Sequence, residues 1–326
     1  MRQLTVYSES WPLRSVFRIA RDSYTDITVV VVEIRDGLAL GRGECRPYGR
    51  YGESPESVIA AVESLRLAVE SGLGREELQA IVSAGAARNA LDCALWDLEA
   101  KQTGQPVWQL ARLAEPQPVT TAYTLGIDSP AKMAAQAEQH ADRPLLKLKL
   151  AGKGDLERVQ AVRAAVPNAR LIVDANEAWQ RDDYLSLAPA FAKLGVEMLE
   201  QPFPAGADRS LAHYPRPLPV CADESCHTAA GLAELADLYD AVNIKLDKTG
   251  GLTEALRMKA LAEEQGFAVM VGCMVATSLA MAPAFLLAQE AGYVDLDGPL
   301  LLDHDRPSGL RFQESWVYPP DRALWG

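Results

Sequence analysis

The sequence predicts an α/β fold, a modified (β/α)7β barrel of the TIM type accompanied by a smaller α+β domain, and three observations carry that prediction. First, five phrases share one design: Leu145-Leu146-Lys147-Leu148-Lys149-Leu150, Val173-Asp174-Ala175-Asn176-Glu177, Leu199-Glu200-Gln201-Pro202, Ala222-Asp223-Glu224-Ser225 and Asn243-Ile244-Lys245-Leu246-Asp247-Lys248-Thr249-Gly250-Gly251. Each runs from apolar or β-branched residues into a charged side chain, with turn or helix-start residues after it. Second, the charged residues Lys149, Asp174, Glu200, Asp223 and Lys245 lie 25, 26, 23 and 22 residues apart, the length of one strand-loop-helix-loop unit. Third, the beat continues backwards to a strand-like stretch at 119–125 and forwards to 267–271 and 293–297, which completes eight strands. A closed parallel barrel carries its active site at the carboxyl ends of its strands, so all five charged residues point to one place.

Composition sets the outer limits. With 326 residues and 48% hydrophobic content the chain has material for one large core and a smaller companion domain. A formal net charge of -12 argues against nucleic acid or an anionic membrane as partner, and part of the excess suits a carboxylate cluster that receives a cation. Cys45, Cys93, Cys221, Cys226 and Cys273 are scattered, without Cys-x-x-Cys or metal-ligand spacing, and read as reduced structural thiols of a cytoplasmic protein. Met1-Arg2-Gln3 leads straight into strand-like sequence, and no apolar run approaches the roughly 20 residues of a membrane span. Neither export nor membrane insertion is expected, and the composition permits a homo-oligomer.

Taken in order, residues 1–115 form the smaller domain. Residues 27–34 read as a strand, followed by a turn at Asp36-Gly37 and a second run to Cys45, an antiparallel meander. Residues 14–26 read as a polar loop carrying Arg14, Arg18 and Arg21, equally a solvated connection or a binding segment. The stretch 46–54, rich in Gly, Tyr and Arg, is of a kind that orders over a ligand. Ser54-Pro55 then starts a helix, with Ser as cap and Pro at the first helical position, and Val58, Val62, Leu65 and Val69 give it one apolar face. A second helix over 87–101 buries Leu91, Ala94, Leu95 and Leu98 and stops at Gly104, while Arg88, Asp92, Asp97 and Glu99 read as its solvated face.

Near Glu115-Pro116-Gln117-Pro118 the pattern changes to the barrel beat, and the barrel is assigned to 116–309. Helices are expected over 129–141, 155–166, 181–194, a short one at 208–213, then 228–237, 252–265 and 277–291. In the second of these Leu156, Val159, Val162 and Val166 line one side, as a helix lying on a sheet requires. No helical pattern follows the eighth strand. The tail, 310–326, is expected to return as irregular chain and strand to the first domain.

Lys147 and Lys149 are two apart on a strand, so both leave one face while Leu146, Leu148 and Leu150 leave the other. The leucines suit the helix side, which sends both lysines into the barrel mouth. Two buried ammonium groups need carboxylates nearby, and Asp174, Glu200 and Asp223 from three consecutive strands supply them. Three oxygen donors without Cys or His suit a hard divalent ion, for which Mg²⁺, one per site, is the natural choice. A metal flanked by lysines points to proton abstraction next to a carboxylate. An ordinary lysine, with a pKa of about 10.4, is protonated at neutral pH. A neighbouring ammonium and a divalent cation disfavour its charged form, so a lowered lysine pKa is expected here. The metal and Lys147 would stabilise the enediolate. Lys149 on the second strand and Lys245 on the sixth face each other across an eight-stranded ring, the geometry of an epimerase.

This residue set resembles the enolase superfamily, muconate-lactonizing subgroup, over essentially the whole chain. The resemblance includes Glu44-Cys45-Arg46-Pro47-Tyr48-Gly49-Arg50-Tyr51-Gly52-Glu53-Ser54, the helix that begins Gly85-Ala86-Ala87-Arg88-Asn89-Ala90-Leu91-Asp92, and Asp295-Leu296-Asp297-Gly298-Pro299. It is strongest toward the L-Ala-D/L-Glu epimerases, dipeptide epimerases linked to peptidoglycan peptide recycling. The resemblance implies Mg²⁺ on Asp174, Glu200 and Asp223, acid/base catalysis by Lys149 and Lys245, and enolate neutralisation by Lys147. It implies a dipeptide ammonium on Asp295 and Asp297, which from the residues alone read as a turn or cap pair before Gly298. It further implies that the first domain and the tail form a cap whose loops close over the substrate, with Tyr24, Arg21 and Thr124 beside Lys147 in the substrate site.

Two departures bear on substrate. Family members acting on an acidic second residue tend to carry Arg where Tyr24 stands, and the loop after strand seven carries Ala276 in Gly272-Cys273-Met274-Val275-Ala276-Thr277-Ser278. A cycloisomerase or o-succinylbenzoate synthase would use the same metal and lysines, but Asp295 and Asp297 would repel an all-anionic substrate. A non-catalytic metal-dependent binding protein is the reading from another class, and it gives no reason to keep both Lys149 and Lys245.

Overall fold

The computed structural model describes residues 2–326; Met1, where the expected amino-terminal run begins, lies outside the described residues. The chain opens with an antiparallel sheet of β1 (Gln3–Arg18), β2 (Ser23–Asp36) and β3 (Ala39–Cys45). In β2 both faces are covered. Ile27, Val29 and Val31 join the large core on the barrel side, while Val30, Val32 and Ile34 pack with the cap helices. This is why the run reads as continuous valine and isoleucine instead of alternating.

The expected loop at 14–26 is mostly strand. β1 reaches Arg18 and β2 starts at Ser23, and a register shift between Pro12 and Phe17 absorbs the extra residues. Of residues 14–18 only Phe17 is buried, so this end of the strand carries no apolar alternation to distinguish it from a loop.

The cap helices are α1 (Pro55–Ser64), α2 (Arg66–Glu70), α3 (Arg75–Ile81), α4 (Ala86–Thr103) and the single turn α5 (Val107–Leu110). Ser54 caps α1 with a reciprocal Ser57 bond, and Pro55 opens it. α4 lies directly on β3: a Cβ on Gly41 would sit 2.2 Å from the Ala94 carbonyl, and one on Gly43 2.1 Å from that of Ala90. Only glycine permits that approach.

The polar residues of α4 correct an expectation, because Arg88, Asp92 and Asp97 are buried, not solvated. Each ties the cap to a distant part of the chain. The Arg88 guanidinium donates to the carbonyls of Thr249 (2.6 Å) and Gly250 (3.1 Å). Asp92 accepts from the Thr253 amide and hydroxyl at 2.9 and 2.6 Å. Asp97 accepts from the backbone amides of Arg42 (2.8 Å) and Gly326 (2.6 Å) and from Lys101 (2.7 Å). Asp97→Ala strands the buried Gly326 amide and the half-buried Arg42 amide and is expected to cost about 2–3 kcal/mol of stability in a urea titration, with site chemistry intact.

Eight parallel strands form the barrel: β5 (Tyr123–Leu125), β6 (Leu145–Lys149), β7 (Arg170–Asp174), β8 (Val196–Glu200), β9 (Val220–Ala222), β10 (Ala241–Ile244), β11 (Ala268–Gly272) and β12 (Tyr293–Asp295), paired in chain order. The Ala122 amide, 2.8 Å from the Val294 carbonyl, joins the first strand region to the last. The expected strand at 119–125 is two strands. β4 (Val119–Thr120) leaves the barrel and pairs with β14 (Trp316–Val317), itself paired with β13 (Phe312–Gln313).

Leu146, Leu148 and Leu150 face the surrounding helices. Inside, Ala122, Leu145, Ile172, Met198, Cys221, Ala241 and Met270 plug the floor. The covering helices are α6 (Pro130–Gln139), α7 (Asp155–Ala165), α8 (Arg181–Lys193), the short α9 (Leu246–Thr249), α10 (Leu252–Glu264) and α11 (Ser278–Leu287), with α12 (Gly298–Leu301) as a single turn after β12. At Arg209–His213 and Ala229–Glu234 the covering segments are 3-10 turns, so the expected helix over 228–237 is shorter and more tightly wound. The tail returns to α4, where Trp325 is buried and its indole N–H donates to the Cys93 carbonyl at 3.0 Å. Among the described residues no helix is long and apolar enough to cross a membrane.

Candidate active site

The carboxyl ends of β6, β7, β8, β9 and β10 bring the five strand-end charges together, because every second residue of each strand points inward. Oxygens of Asp174, Glu200 and Asp223 lie within 4.8 Å of one another. Lys147, lower in the barrel, places Nζ 2.7 Å from Glu200 Oε2, 2.7 Å from Asp295 Oδ2 and 3.5 Å from Asp174 Oδ2. Lys149 Nζ is 2.6 Å from Asp174 Oδ2, and Lys245 Nζ is 2.6 Å from Asp223 Oδ2.

Further residues hold these groups in place. Asp174 accepts the Asn176 amide at 2.8 Å, and Glu200 Oε1 accepts Asn243 Nδ2 at 2.7 Å. A Cβ at Gly272 would sit 2.5 Å from Asn243 Oδ1, so that glycine leaves Asn243 room to reach Glu200. Gln201 Oε1 accepts the backbone amides of Asp223 (2.8 Å) and Ser225 (3.1 Å), which sets the end of β9. Asn176 and Gln201 take left-handed backbone, φ 43 and 34, immediately beyond the strand ends. Non-glycine residues held there mark backbone constrained by a site. Lys248 is a fourth buried ammonium, 2.5 Å from Asp223 Oδ1 and 2.9 Å from the Asn243 carbonyl. The motifs contain Asn243, Lys248 and Gln201 but assign them no roles; their only signal in the sequence is their place beside the strand-end charges Lys245 and Glu200.

Burial pulls Lys147 down, but Asp295, Glu200 and Asp174 outweigh it and hold its pKa well above the usual lysine range. Lys245 behaves alike, with burial opposed by Asp223 and Glu200. The lowered lysine pKa expected from the sequence rests on a divalent cation among these carboxylates, whose own negative charges favour the ammonium form. Glu200 shows the complementary effect, pushed up to about 7 by burial and by Asp174, against Lys147. Burial also raises Asp223, but Lys245, Lys248 and Lys147 overcome it and hold its pKa well below the usual range. Glu200 Oε2 is buried and lies close to Lys147, yet out of hydrogen-bonding alignment. An all-oxygen triad with one oxygen lacking a hydrogen bond fits a hard divalent cation.

Asp295 and Asp297 stand at the end of β12, tied to β5 through Thr124. The Thr124 amide donates to Asp297 Oδ2 at 2.6 Å, and its hydroxyl donates to Asp295 Oδ1 at 3.3 Å. Burial and then the Asp295 charge push Asp297 up to about 7. The two carboxylates line the cleft together with Thr124, Lys149 and Lys245.

The lid closes this cleft from the cap. Arg21 spends its guanidinium on the barrel, donating to the Asn176 carbonyl (2.7 Å), Glu177 (2.7 Å), Glu224 (2.5 Å) and the Tyr48 hydroxyl (3.2 Å). It borders the cleft as a clamp between lid and barrel. The Tyr24 hydroxyl donates to Asp22 at 2.8 Å, and the residue lines the cleft. In the segment at 46–54, Arg46, Tyr48 and Tyr51 also line it. The sequence alone assigns these three no individual roles.

Comparison with known proteins follows the same outline. Residues 1–111 match the mandelate racemase / muconate lactonizing enzyme N-terminal domain, and residues 132–323 match the enolase C-terminal domain-like family. The chain is 49% identical to an L-Ala-D/L-Glu epimerase of Escherichia coli over 96% of this chain and 98% of that protein. It is 44% identical to an N-acetyl-D-glutamate racemase of a Pseudoalteromonas species, covering 91% and 95%. A crystal structure of an Agrobacterium tumefaciens enolase family member with homology to dipeptide epimerases, bound to sodium and L-Ala-L-Glu, superposes with a TM-score of 0.97 at 52% identity over all of both chains.

Proposed function

Because this chain belongs to the enolase superfamily, with both the amino-terminal and carboxyl-terminal domains of the mandelate racemase and muconate lactonizing group, we propose that it is an isomerase that epimerises L-Ala-D/L-Glu or a related dipeptide at the α-carbon of the second residue. The observation that carries this reading is the placement of Lys149 and Lys245. They rise from β6 and β10, the second and sixth of eight strands, and face the cleft from opposite sides.

In this reading one lysine, as the free amine, takes the α-proton from one face of the substrate. The opposite lysine, as the ammonium, returns a proton to the other face, and the configuration inverts. Lys147, buried between Glu200 and Asp295, places positive charge where the enediolate develops. Asp174, Glu200 and Asp223 would hold Mg²⁺, which when bound supplies electrostatic stabilisation of that negative charge. Carboxylates committed to a cation no longer favour the ammonium forms, so the loaded site is the one in which a lysine serves as base. Arg21 and the loop bearing Tyr48 and Tyr51 keep water from the reacting face. The five cysteines are free and four of them buried, which suits a reducing compartment; we place the reaction in the cytoplasm, in the recycling of peptidoglycan peptides. Conversion of L-Ala-L-Glu to L-Ala-D-Glu, followed by chiral chromatography with Mg²⁺ present, tests the assignment, and an unchanged dipeptide overturns it.

The similarity to an N-acetyl-D-glutamate racemase supports a second reading, in which the substrate has no free amine. Asp295 and Asp297 favour the dipeptide, since two carboxylates suit an ammonium and repel an acyl group's carbonyl oxygen. Acetylating the amino terminus of L-Ala-L-Glu is therefore expected to lower kcat/KM about tenfold to hundredfold, the worth of a charge-assisted bond. Equal rates on both peptides would favour the acyl amino acid.

A further inference from the structure

The cleft contains one cation that the mechanism above does not use. Arg46 follows β3 directly and is 8% exposed. Three elements fix it. Its backbone amide donates to Asp247 Oδ1 at 3.0 Å, two residues beyond Lys245, which registers it to that lysine. Its Nη1 donates to the Val275 carbonyl at 3.1 Å, in the loop after β11. Its guanidinium carbon stands 4.8 Å from the centroid of the Tyr24 ring, a cation–π platform supplied by β2.

Arg21 and Arg50 in the same lid are paired with Glu177 and Glu224. Arg46 has no carboxylate ion pair among the described residues, and burial pulls its pKa below the usual arginine range. A guanidinium carries five donors in a fork that matches a carboxylate. Leaving such a charge buried with one neutral acceptor is costly unless a ligand completes it.

The charges of a bound dipeptide can be matched to the cleft one by one. Its ammonium meets Asp295 and Asp297, and its α-carboxylate must lie by the lysines and strand-end carboxylates, because the proton removed is next to it. The cleft cation left without a carboxylate among the described residues is Arg46. We propose that Arg46 selects an anionic side chain on the substrate's second residue by a forked pair with its carboxylate, with Tyr24 as the platform that holds the guanidinium. This assignment rests on the dipeptide epimerase reading.

The test measures kcat/KM for L-Ala-L-Glu, L-Ala-L-Gln and L-Ala-L-Met with the Mg²⁺-loaded wild type, Arg46→Met and Arg46→Lys. Arg46→Met is expected to lose roughly tenfold to hundredfold on L-Ala-L-Glu and less than about threefold on L-Ala-L-Met, so the Glu to Gln preference collapses toward one. Arg46→Lys keeps the charge without the fork and is expected to give an intermediate ratio. It decides the question if Arg46→Met proves inactive on every peptide. A Glu to Gln ratio unchanged from wild type overturns the role of Arg46 alone. A wild type that epimerises none of the three overturns the epimerase reading and this assignment with it.

Discussion

Lys149→Ala and Lys245→Ala are each expected to abolish epimerisation, by at least about a thousandfold in kcat, within the 10²–10⁴ range of a positioned acid or base. The two lysines stand on opposite walls, so neither substitutes for the other. Each variant keeps one intact side, and is expected to retain exchange of the α-proton of one epimer with solvent while failing to invert it. The two variants should retain opposite epimers. Full turnover by either variant contradicts the arrangement, and loss of all exchange in both argues for a role in binding. Circular dichroism separates either result from misfolding.

Removal of the divalent ion is expected to have an effect of similar size. Chelation should take activity to background, and Mg²⁺ should restore it. Glu200→Gln keeps the shape of the side chain and an oxygen for Asn243, but removes the anion. Its affinity for Mg²⁺ should fall by at least about tenfold to hundredfold, the scale seen even for groups that only support a ligand. The fold should survive, because Glu200 gives up a charge that burial already disfavours. Calorimetric Mg²⁺ titration of both proteins reads the change directly. Retained activity in a metal-stripped sample would contradict it.

How much of this was legible in the sequence follows from how local each signal is. A barrel strand carries its own mark, an apolar run ending in a charge, and repetition of that mark located Lys149, Asp174, Glu200, Asp223 and Lys245. The alternation within Leu145–Lys149 was enough to send both lysines inward and Leu146 and Leu148 outward, as the structure has them. Burial of Arg88 and Asp97 was not legible, because it depends on partners 161 and 229 residues away in sequence. The left-handed turn at Gln201 and the reach of Asn243 past Gly272 likewise depend on neighbours that only the closed ring supplies. The strand through Arg14 and Arg18 was hidden by its solvated face. The stacking of Arg46 on the Tyr24 ring is a relation between β2 and the segment after β3 that no single stretch of sequence displays.

The central claim is proton transfer at one carbon by two facing lysines, and its most direct test is the fate of the α-proton. L-Ala-L-Glu incubated in ²H₂O with Mg²⁺ and enzyme, stopped early and resolved by chiral chromatography, is read by mass. The account predicts one deuterium at the α-carbon of the second residue in every epimerised molecule and none at the alanine α-carbon. Epimerised product that keeps its original hydrogen, or label on alanine, would contradict it.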